Sequence, residues 1–333
     1  MQAWVLSSSR CAAAAGSGFL FGASRAAPKA CRRIMISRCL SQSASLQGLT
    51  EACRAPATKV GSTILPAAVL AAAVAATGAA QGIGAAIALG MAGCGADIIL
   101  ADFANEAQMT AVGDQIREMG RKAVEVKCDV RRRSLVDAAV ADAVDKLGVG
   151  PDILVASAGI IGRLEAAHAV SHDGWTEVMA TNLEGAYNSA QAVHPHMKQA
   201  GRGKIVLISS IAGIRGAGTQ VAYACSKGAL LPLARSLAAA WGRDNIQVNT
   251  LLPGAINTPF LNTMLANPKK LEYILGRIPL GRLGVASDMV GPALFLSSHA
   301  SDYVTGAEIL VDGGGAALPM LAGQDPEAYK PGA

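Results

Sequence analysis

The chain has 333 residues, of which 51% are hydrophobic and 16% are charged. This length and a mean hydropathy of +0.34 are enough for a large apolar core, so an intrinsically disordered protein is excluded. Six basic residues precede the first acidic residue, Glu51, and without them the formal net charge of +5 becomes −1. The body of the chain therefore has no positive excess with which to bind nucleic acid or an anionic membrane.

The N-terminal segment has the composition of a targeting sequence. Residues 1–50 contain nine serines, six basic residues and no acidic residue, as organelle transit peptides do. Residues 38–41, Arg-Cys-Leu-Ser, resemble a mitochondrial processing site. We predict a transit peptide or disordered segment over residues 1–58 and a mitochondrial matrix location, with the plastid stroma as the alternative. A secretory signal and an uncleaved tail are the other interpretations, and the repeated arginines argue against the signal.

The cysteines and histidines give no sign of a metal site or a disulfide framework. No C-x-x-C pair occurs, and Cys94, Cys128 and Cys225 alone lie beyond residue 58. His194-Pro195-His196 has no acidic or cysteine partner at ligand spacing, so we expect a helix surface there and no metal. The apolar run Ala67–Ala76 is ten residues long, against about twenty for a membrane span, and predicts no transmembrane helix.

Short apolar or β-branched runs alternate with longer helical segments from about residue 68 onwards. Such alternation predicts βαβ units and a parallel sheet covered by helices on both faces. We therefore predict an α/β fold, a Rossmann-type doubly wound sheet, in a single domain over residues 59–320, with a C-terminal tail at 321–333. The predicted strands are Val74–Thr77, Asp97–Ala101, Ala123–Lys127, Ile153–Ala156, Lys204–Ile208, Ile246–Leu251 and Ile309–Val311, and the predicted helices are Ala85–Ala92, Glu106–Met119, Ser134–Leu147, Trp175–Gln199 and Tyr223–Trp241.

A glycine-rich loop, Thr77–Gly84, follows the first predicted strand and leads directly into a helix. Glycines let the backbone turn sharply and approach a ligand, and the free amides at the helix start attract a pyrophosphate. The spacing G-x-x-x-G-x-G differs from the G-x-G-x-x-G fingerprint, so a plain tight turn is the alternative. The loop residues expected to bind a dinucleotide are Gly78, Gln81, Gly82, Ile83 and Gly84.

Asp102 ends the second predicted strand, 18 residues after Gly84. At about this distance a carboxylate binds the ribose hydroxyls of the adenosine. It would also repel a 2′-phosphate, and no Arg or Lys lies in the glycine loop or immediately after Asp102 to offset that repulsion. We therefore predict NAD in preference to NADP. The alternative is an aspartate that caps the helix starting near Asn105.

Tyr223 and Lys227 are four residues apart and so lie on one helix face. A phenol has a pKa of about 10, and a nearby ammonium lowers it towards neutrality. A Tyr-x-x-x-Lys pair alone is also typical of a helix surface. Ser210 favours the catalytic interpretation, because it lies 13 residues before Tyr223 at the C-terminal end of a predicted strand. Its hydroxyl could meet the same substrate oxygen as Tyr223, whereas Ser209 should face the other side of the strand.

In order and spacing, these motifs resemble the short-chain dehydrogenase/reductase family from about Val74 to Gly315. The resemblance implies an oxidoreductase that acts on CH–OH groups with NAD or NADP and is often tetrameric. The matching features are the Thr77–Gly84 loop, Asp102, Cys128-Asp129-Val130, Ala158-Gly159, Asn182 in Thr-Asn-Leu-Glu-Gly, Ser210, Tyr223 with Lys227, Pro253-Gly254 with Thr258, and Val311-Asp312-Gly313-Gly314.

The resemblance also implies a role for each residue. Tyr223 would be the general acid in reduction and the base in oxidation, Lys227 would lower its pKa and bind the nicotinamide ribose, and Ser210 would polarise the substrate oxygen. Asn182 would hold a water molecule that passes protons from Lys227 to solvent, with a purely structural amide as the alternative. Further cofactor contacts would come from Asp129 and Val130 at the adenine, from Ala158 and Gly159 after the fourth strand, and from Pro253, Gly254, Ile256 and Thr258 at the nicotinamide carboxamide.

Two stretches depart from the family pattern. Residues 156–159 read Ala-Ser-Ala-Gly where the family has Asn-Asn-Ala-Gly, which predicts a lower affinity for NAD. The first strand is rich in alanine, a poor strand former, and the family's usual start matches Lys59-Val60, which leaves residues 61–73 as an extra segment. Arg131-Arg132-Arg133 predicts a solvated loop, with contact to the adenine as the alternative.

Residues 255–283 are expected to form a mobile lid over the substrate, with apolar side chains that include Phe260, Leu261, Met264, Leu265, Tyr273 and Ile274. Lys269, Lys270, Arg277 and Arg282 could meet an anionic substrate there. Segments 277–290 and 300–306 resemble gluconate and deoxygluconate dehydrogenases and, in part, 3-oxoacyl-acyl-carrier-protein reductases.

We therefore predict an NAD(H)-dependent oxidoreductase that transfers a hydride between the nicotinamide and a secondary alcohol or ketone, of a sugar-acid or polyol type. The alternatives are a 3-oxoacyl-acyl-carrier-protein reductase of organellar fatty-acid synthesis and a catalytically silent NAD-binding subunit. The expected partners are a small-molecule substrate and further copies of the chain, in a homodimer or homotetramer, with no nucleic acid and no membrane.

Overall fold

The computed structural model describes residues 72–261 and 267–317. Seven parallel strands form one sheet within these residues, in the order β3-β2-β1-β4-β5-β6-β9, and the short strands β7 and β8 pair separately. The strands are β1 (Ala73–Thr77), β2 (Asp97–Asp102), β3 (Ala123–Lys127), β4 (Ile153–Ala156), β5 (Gly203–Ile208), β6 (Ile246–Pro253), β7 (Ile256–Asn257), β8 (Gly284–Val285) and β9 (Glu308–Val311).

Helices connect the strands and cover both faces of the sheet, which confirms the predicted doubly wound α/β fold. The helices are α1 (Gly82–Gly93), α2 (Glu106–Glu118), α3 (Arg133–Leu147), α4 (His172–Met179), α5 (Gly185–Ala200), α6 (Ala212–Arg215), α7 (Val221–Trp241), α8 (Pro268–Leu275) and α9 (Val290–Leu296). None of the helices within the described ranges is long and apolar enough to cross a membrane.

The core has two layers, one on each face of the sheet, because side chains alternate along each strand. On β2, Ile98 and Leu100 pack in one layer with residues of α1, α2 and α9, whereas Ile99 and Ala101 pack in the other with residues of α3, α5 and α7. The central strands are buried along their whole length, as expected where both faces of a parallel sheet are covered.

The alanine-rich first strand forms despite its weak strand propensity. β1 lies at the centre of the sheet, paired with β2 on one side and β4 on the other, and all five of its residues are buried. Pairing on both edges and burial on both faces therefore override local propensity, which for strands depends mainly on packing.

The predicted helix over Trp175–Gln199 is confirmed, and it contains a π-helical turn that the periodicity did not indicate. The chain forms α4, then a π-helical segment over Ala180–Glu184, then α5. Asn182 lies inside that segment, and π-helical turns occur often at functional sites. The predicted transit peptide at residues 1–58 and the tail at 321–333 lie outside the described residues.

Candidate active site

A cleft of about 630 Å³ opens at the carboxyl ends of the central strands. Its floor lies where β1 meets β4, the point at which the strand order reverses, and ligands of open α/β sheets bind at such a point. Every residue predicted to bind the cofactor lines this cleft, and so does Ser210. Asn182 is not among the lining residues.

The glycine loop forms one wall of the cleft and has no room for a side chain at Gly78 or Gly84. Gly78 and Gly82 have positive φ angles of 62° and 61°. A Cβ atom on Gly78 would lie 2.9 Å from the backbone of Ala158, and one on Gly84 would lie 2.3 Å from the Gly78 carbonyl oxygen. At the start of α1, Gln81 provides no side-chain cap and the first turn has no acidic residue. This helix start is therefore open to an anion such as a pyrophosphate.

Asp102 lies at the end of β2 and is tied to the glycine loop. Its Oδ2 atom accepts a hydrogen bond from the Ala80 amide, and its Oδ1 atom accepts one from the Ala104 amide, each at 3.2 Å. The carboxylate therefore supports the loop as well as lining the cleft.

Arg131 belongs to the cleft and not only to a solvated loop. Its guanidinium forms a two-pronged ion pair with Asp129, with Nε–Oδ1 and Nη2–Oδ2 distances of 2.8 Å, and lies 5.6 Å from the centre of the Phe103 ring. The hydrogen bond from Arg131 lowers the pKa of Asp129. Arg133, by contrast, binds Asp137 and Gln191 away from the cleft. Of the two interpretations of this basic run, the contact with the predicted adenine side fits Arg131.

Ser210 and Tyr223 both line the cleft, and their side chains are close enough for Ser210 to act on the pKa of Tyr223 through hydrogen bonding. Ser210 follows β5, and Tyr223 lies in the first turn of α7. Ser209 faces elsewhere, as predicted, and its hydroxyl donates to the Lys227 carbonyl oxygen at 2.7 Å. Burial raises the pKa of Tyr223, and the hydrogen bond with Ser210 acts in the opposite direction.

Lys227 is buried one turn along α7 from Tyr223. Its Nζ atom donates to the Ile208 carbonyl oxygen at 2.7 Å and lies 6.0 Å from the centre of the Tyr223 ring. Burial lowers the pKa of this ammonium to about 8. The sequence suggested that Lys227 lowers the pKa of Tyr223, whereas in this structure burial of the phenol raises that pKa and the opposing contribution comes from Ser210.

Asn182 is buried, and its side chain forms hydrogen bonds with the backbone beside the cleft. Its side chain exchanges two hydrogen bonds with Ile160, at 2.8 Å and 2.9 Å, and donates a third to the Ser226 hydroxyl at 2.9 Å. A Cβ atom on Gly159 would lie 3.1 Å from Asn182 Oδ1 and 3.3 Å from Lys227 Nζ. The amide therefore joins the loop after β4 to α7 and sets the close approach of Gly159 to Lys227.

The Ala-Ser-Ala-Gly sequence at the end of β4 is joined to β1 through backbone amides. The amides of Ser157 and Ala158 both donate to the Thr77 hydroxyl at 3.2 Å, which joins the ends of β4 and β1. On the opposite wall, Thr258 is buried and its side chain lies 3.8 Å from the position of a Cβ atom on Gly82.

The lid contributes a mixed apolar and basic wall. The Phe260 ring lies 6.1 Å from the Tyr223 ring, and Leu261, Tyr273 and Ile274 also line the cleft. Met264 and Leu265, predicted to belong to this wall, lie outside the described residues. Arg277 is the one of the four predicted basic residues that lines the cleft.

Several lining residues were not singled out from the sequence, and they include Glu177, Thr181, Arg215, Gln220 and Gly315. The position of Arg215 could have been predicted from the sequence, because it stands five residues after Ser210 and a short segment there must border the site. For the others, only the folded arrangement of distant segments brings them together. Among the described residues, no group of three or more His, Cys, Asp or Glu side chains could hold a metal ion.

Comparisons with known proteins agree with this architecture. Residues 78–315 match a family described as "Enoyl-(Acyl carrier protein) reductase". The chain is 37% identical over 239 residues to 2-dehydro-3-deoxy-D-gluconate 5-dehydrogenase of Escherichia coli K12, covering 72% of this chain and 92% of that protein. It is 38% identical over 239 residues to L-rhamnose 1-dehydrogenase (NAD(P)(+)) of Sphingomonas sp. SKA58, covering 72% and 93%.

Solved structures are similar as well. A gluconate 5-dehydrogenase from Burkholderia cenocepacia J2315, in complex with NADP and tartrate, superposes with a TM-score of 0.72 and 35% identity, covering 75% of this chain and 97% of that one. The fold, the cleft and these similarities together define an NAD(P)-dependent oxidoreductase acting on CH–OH groups. The chain belongs to the short-chain dehydrogenase/reductase family.

Proposed function

We propose that the protein is an NAD(H)-dependent oxidoreductase that transfers a hydride between nicotinamide and a secondary alcohol or ketone of a sugar acid or polyol. The side chains of Ser210 and Tyr223, which lie close together in the cleft, carry the proposal. Beside them lie buried Lys227 and a lid with both apolar and basic side chains. Relatives that are named for gluconate derivatives and L-rhamnose support this substrate class.

The cleft fits a dinucleotide because glycines stand at the positions of its wall where a side chain would not fit. A Cβ atom on Gly78 or Gly84 would collide with backbone, and one on Gly159 would crowd the ammonium of Lys227. In our proposal the glycine loop binds the pyrophosphate, Asp102 the adenosine ribose, and Asp129 with Val130 the adenine. Lys227 binds the nicotinamide ribose, and residues 253–258 contact the carboxamide. When bound, the nicotinamide supplies or accepts the hydride.

The protein side chains handle the proton. In reduction, Ser210 donates a hydrogen bond to the substrate oxygen and Tyr223 gives the same oxygen its proton. The raised pKa of Tyr223 keeps it protonated at neutral pH, as this role requires. In oxidation Tyr223 takes the proton, and the charge of Lys227 with the Ser210 hydroxyl favours the phenolate. Asn182 positions Gly159 and Ile160 beside Lys227, and proton passage through water held there is part of the proposal.

The preference for NAD over NADP rests on the charge of Asp102. Its carboxylate would repel a 2′-phosphate, and Arg131, the cation nearest the predicted adenine site, is already paired with Asp129. The gluconate 5-dehydrogenase structure contains NADP, and the Sphingomonas enzyme is named for both cofactors. These relatives support binding of a nicotinamide cofactor and leave the preference to be measured on this chain.

The decisive experiment measures NADH oxidation with 5-keto-D-gluconate as hydride acceptor and NAD reduction with 2-dehydro-3-deoxy-D-gluconate as hydride donor. Wild-type protein should turn over at least one of them, and Tyr223→Phe should lower kcat by at least about a hundredfold, since it removes the proton donor. The substitution keeps the aromatic ring and its packing, so the variant's NADH affinity, measured by fluorescence titration, should stay within about twofold.

The same assay separates the alternatives. Turnover of a 3-oxoacyl thioester alone would favour the 3-oxoacyl-acyl-carrier-protein reductase. Saturable NADH binding without turnover of sugar acids, polyols or the thioester would favour the silent subunit.

We also propose that residues 1–58 direct the protein to the mitochondrial matrix, and that the mature chain forms a homodimer or homotetramer. The nine serines and six basic residues of the first 50 positions support the address. N-terminal sequencing of the mature protein should find cleavage near Ser41, and native mass spectrometry should find two or four chains. An intact N-terminus or a single-chain mass would contradict the respective proposal.

A further inference from the structure

Two arginines, Arg215 and Arg277, line the substrate side of the cleft without a carboxylate partner among the described residues. Arg215 is half-buried and Arg277 is exposed, so both guanidinium groups can reach an anion that enters the cleft. Asp312 also lines this part of the cleft, but its two oxygens accept hydrogen bonds from the amides of Gly314 and Ala316.

Arg215 is held at a fixed place relative to the reacting groups. It ends α6, the short helix that begins two residues after Ser210. A Cβ atom on Gly213 would lie 2.6 Å from the Gly228 amide nitrogen, so α6 rests directly on α7 just beyond Lys227. The Nη1 atom of Arg215 donates to the Gly315 carbonyl oxygen at 2.8 Å. That bond orients the guanidinium and leaves its other N–H groups for a ligand.

Arg277 reaches the same wall from the lid. Its guanidinium stacks on the Tyr273 ring, 3.6 Å from the ring centre. A Cβ atom on Gly315, the partner of Arg215, would lie 3.6 Å from the Arg277 carbonyl oxygen. The segments that carry the two arginines therefore meet at Gly315.

The other basic residues of the lid do not share this arrangement. Arg282 forms a two-pronged ion pair with Asp288, at 2.7 Å and 3.1 Å, and lies outside the main cleft. Lys269 and Lys270 stand in the first turn of α8 and do not line the cleft either. Of the four basic residues of the lid, Arg277 is therefore the one that lines the cleft.

We propose that Arg215 and Arg277 together bind the carboxylate of an anionic sugar-acid substrate and so set which carbinol reaches Tyr223. This inference rests on the proposed function and deepens it, because it selects the sugar acid over the neutral sugar or polyol. A guanidinium matches a carboxylate with two parallel hydrogen bonds, which a hydroxymethyl group cannot replace. Arg215 is the member held by a hydrogen bond to the Gly315 carbonyl oxygen, and Arg277 is the member carried by the segment around α8.

The test compares D-gluconate with D-glucitol, which differs only in carrying a hydroxymethyl group in place of the carboxylate. We expect wild-type kcat/KM with NAD to be at least tenfold higher for gluconate. Arg215→Gln and Arg277→Gln should each lower kcat/KM for gluconate by about 10- to 100-fold, mainly through KM, as expected for a hydrogen bond to a charged group. Glucitol oxidation should change less than twofold in both variants. Lys270→Gln removes a positive charge from the same lid and should leave kcat/KM for both substrates unchanged.

A binding measurement tests the inference even if a variant shows no turnover. Calorimetric titration of the NAD-bound protein should give a Kd for gluconate at least tenfold below that for glucitol, and both arginine variants should lose that difference. Equal losses for both substrates would indicate a merely structural role and overturn the proposal, as would equal affinity of the wild type for both. Turnover of L-rhamnose with no preference for gluconate would overturn the carboxylate site but leave the oxidoreductase function intact. Selective gluconate binding with no turnover of any substrate would instead overturn the proposed function.

Discussion

At the scale of single residues, burial disfavours the charged forms of the two titratable groups proposed for catalysis, Tyr223 and Lys227. Burial raises the pKa of Tyr223 and lowers that of Lys227 to about 8, so both side chains are pushed towards their neutral forms. Each group has a hydrogen-bond partner, Ser210 for the phenol and the Ile208 carbonyl for the ammonium. Such shifts are typical of sites that move protons near neutral pH.

The lowered pKa of Lys227 predicts a cost in stability. The ordinary pKa of a lysine is 10.5, so between about pH 8 and 10.5 the unfolded chain binds more protons than the folded one. Stability from this group therefore rises with pH across that window, and the full penalty is present below pH 8. Lys227→Met should raise the free energy of unfolding at pH 7 by about 2 kcal/mol, with a smaller gain at pH 10, while abolishing turnover.

Urea denaturation at pH 7 and pH 10 measures this effect. The exposed Lys122 provides the control, and Lys122→Met should change stability by less than about 0.5 kcal/mol at either pH. A Lys227→Met protein that is less stable than the wild type by the same amount at both pH values would show that the bond to Ile208 outweighs the cost of burial.

At the scale of elements, the glycine loop is the part that sequence and structure describe alike. Motif spacing placed it correctly, because its positive φ angles and close backbone contacts leave glycine as the residue that fits. The π-helical turn between α4 and α5 was not predictable, because the whole stretch has helical periodicity. The side chain of Asn182 in that turn accepts a hydrogen bond from the Ile160 amide, 22 residues away, and local sequence does not indicate such a contact.

Gly84 tests the role of the loop. In Gly84→Ala the new Cβ atom would lie 2.3 Å from the Gly78 carbonyl oxygen, so the loop must shift where the pyrophosphate is proposed to bind. We expect the Kd for NADH to rise at least tenfold and the free energy of unfolding to fall by about 1–3 kcal/mol. Gly242→Ala is the matched control, since Gly242 has a φ of −58° and no atom within 4 Å of the added Cβ. It should keep NADH affinity and gain up to about 1 kcal/mol. Equal NADH affinity in both variants would count against the loop as the pyrophosphate site.

At the scale of the whole molecule, the alternation of short strands and helices predicted the parallel sheet, and the family motifs predicted the cleft at its carboxyl edge. Residues distant in sequence were harder to place. Arg215, Arg277 and Gly315 come together only because the segment after β5, the lid and the segment after β9 converge above β6. The sequence did not distinguish between the four basic residues of the lid. In the folded chain Arg277 lines the cleft, whereas Arg282 is paired with Asp288.

Because the cleft crosses the centre of one sheet, cofactor binding should stabilise the described domain as a unit. NAD at about a hundred times its Kd should raise the free energy of unfolding by about 2.7 kcal/mol in a single transition. NADP at the same concentration should give a smaller rise in Tm, and Asp102→Ser should narrow the difference by removing the charge that repels the 2′-phosphate. Scanning calorimetry with each cofactor measures both effects. An equal rise in Tm with both cofactors in the wild type would disprove the predicted preference.

The two hydrogen bonds of Asp102 also constrain how cofactor choice can evolve. The carboxylate that would select NAD is the same group that accepts the Ala80 and Ala104 amides and so braces the glycine loop. A single substitution of Asp102 would remove the charge that repels the 2′-phosphate and also the two hydrogen bonds that support the glycine loop. A lineage that changes to NADP therefore cannot lose this aspartate without a second change. Adaptation should therefore proceed through paired changes, in which a new acceptor for the Ala80 amide arises before or together with the loss of the aspartate.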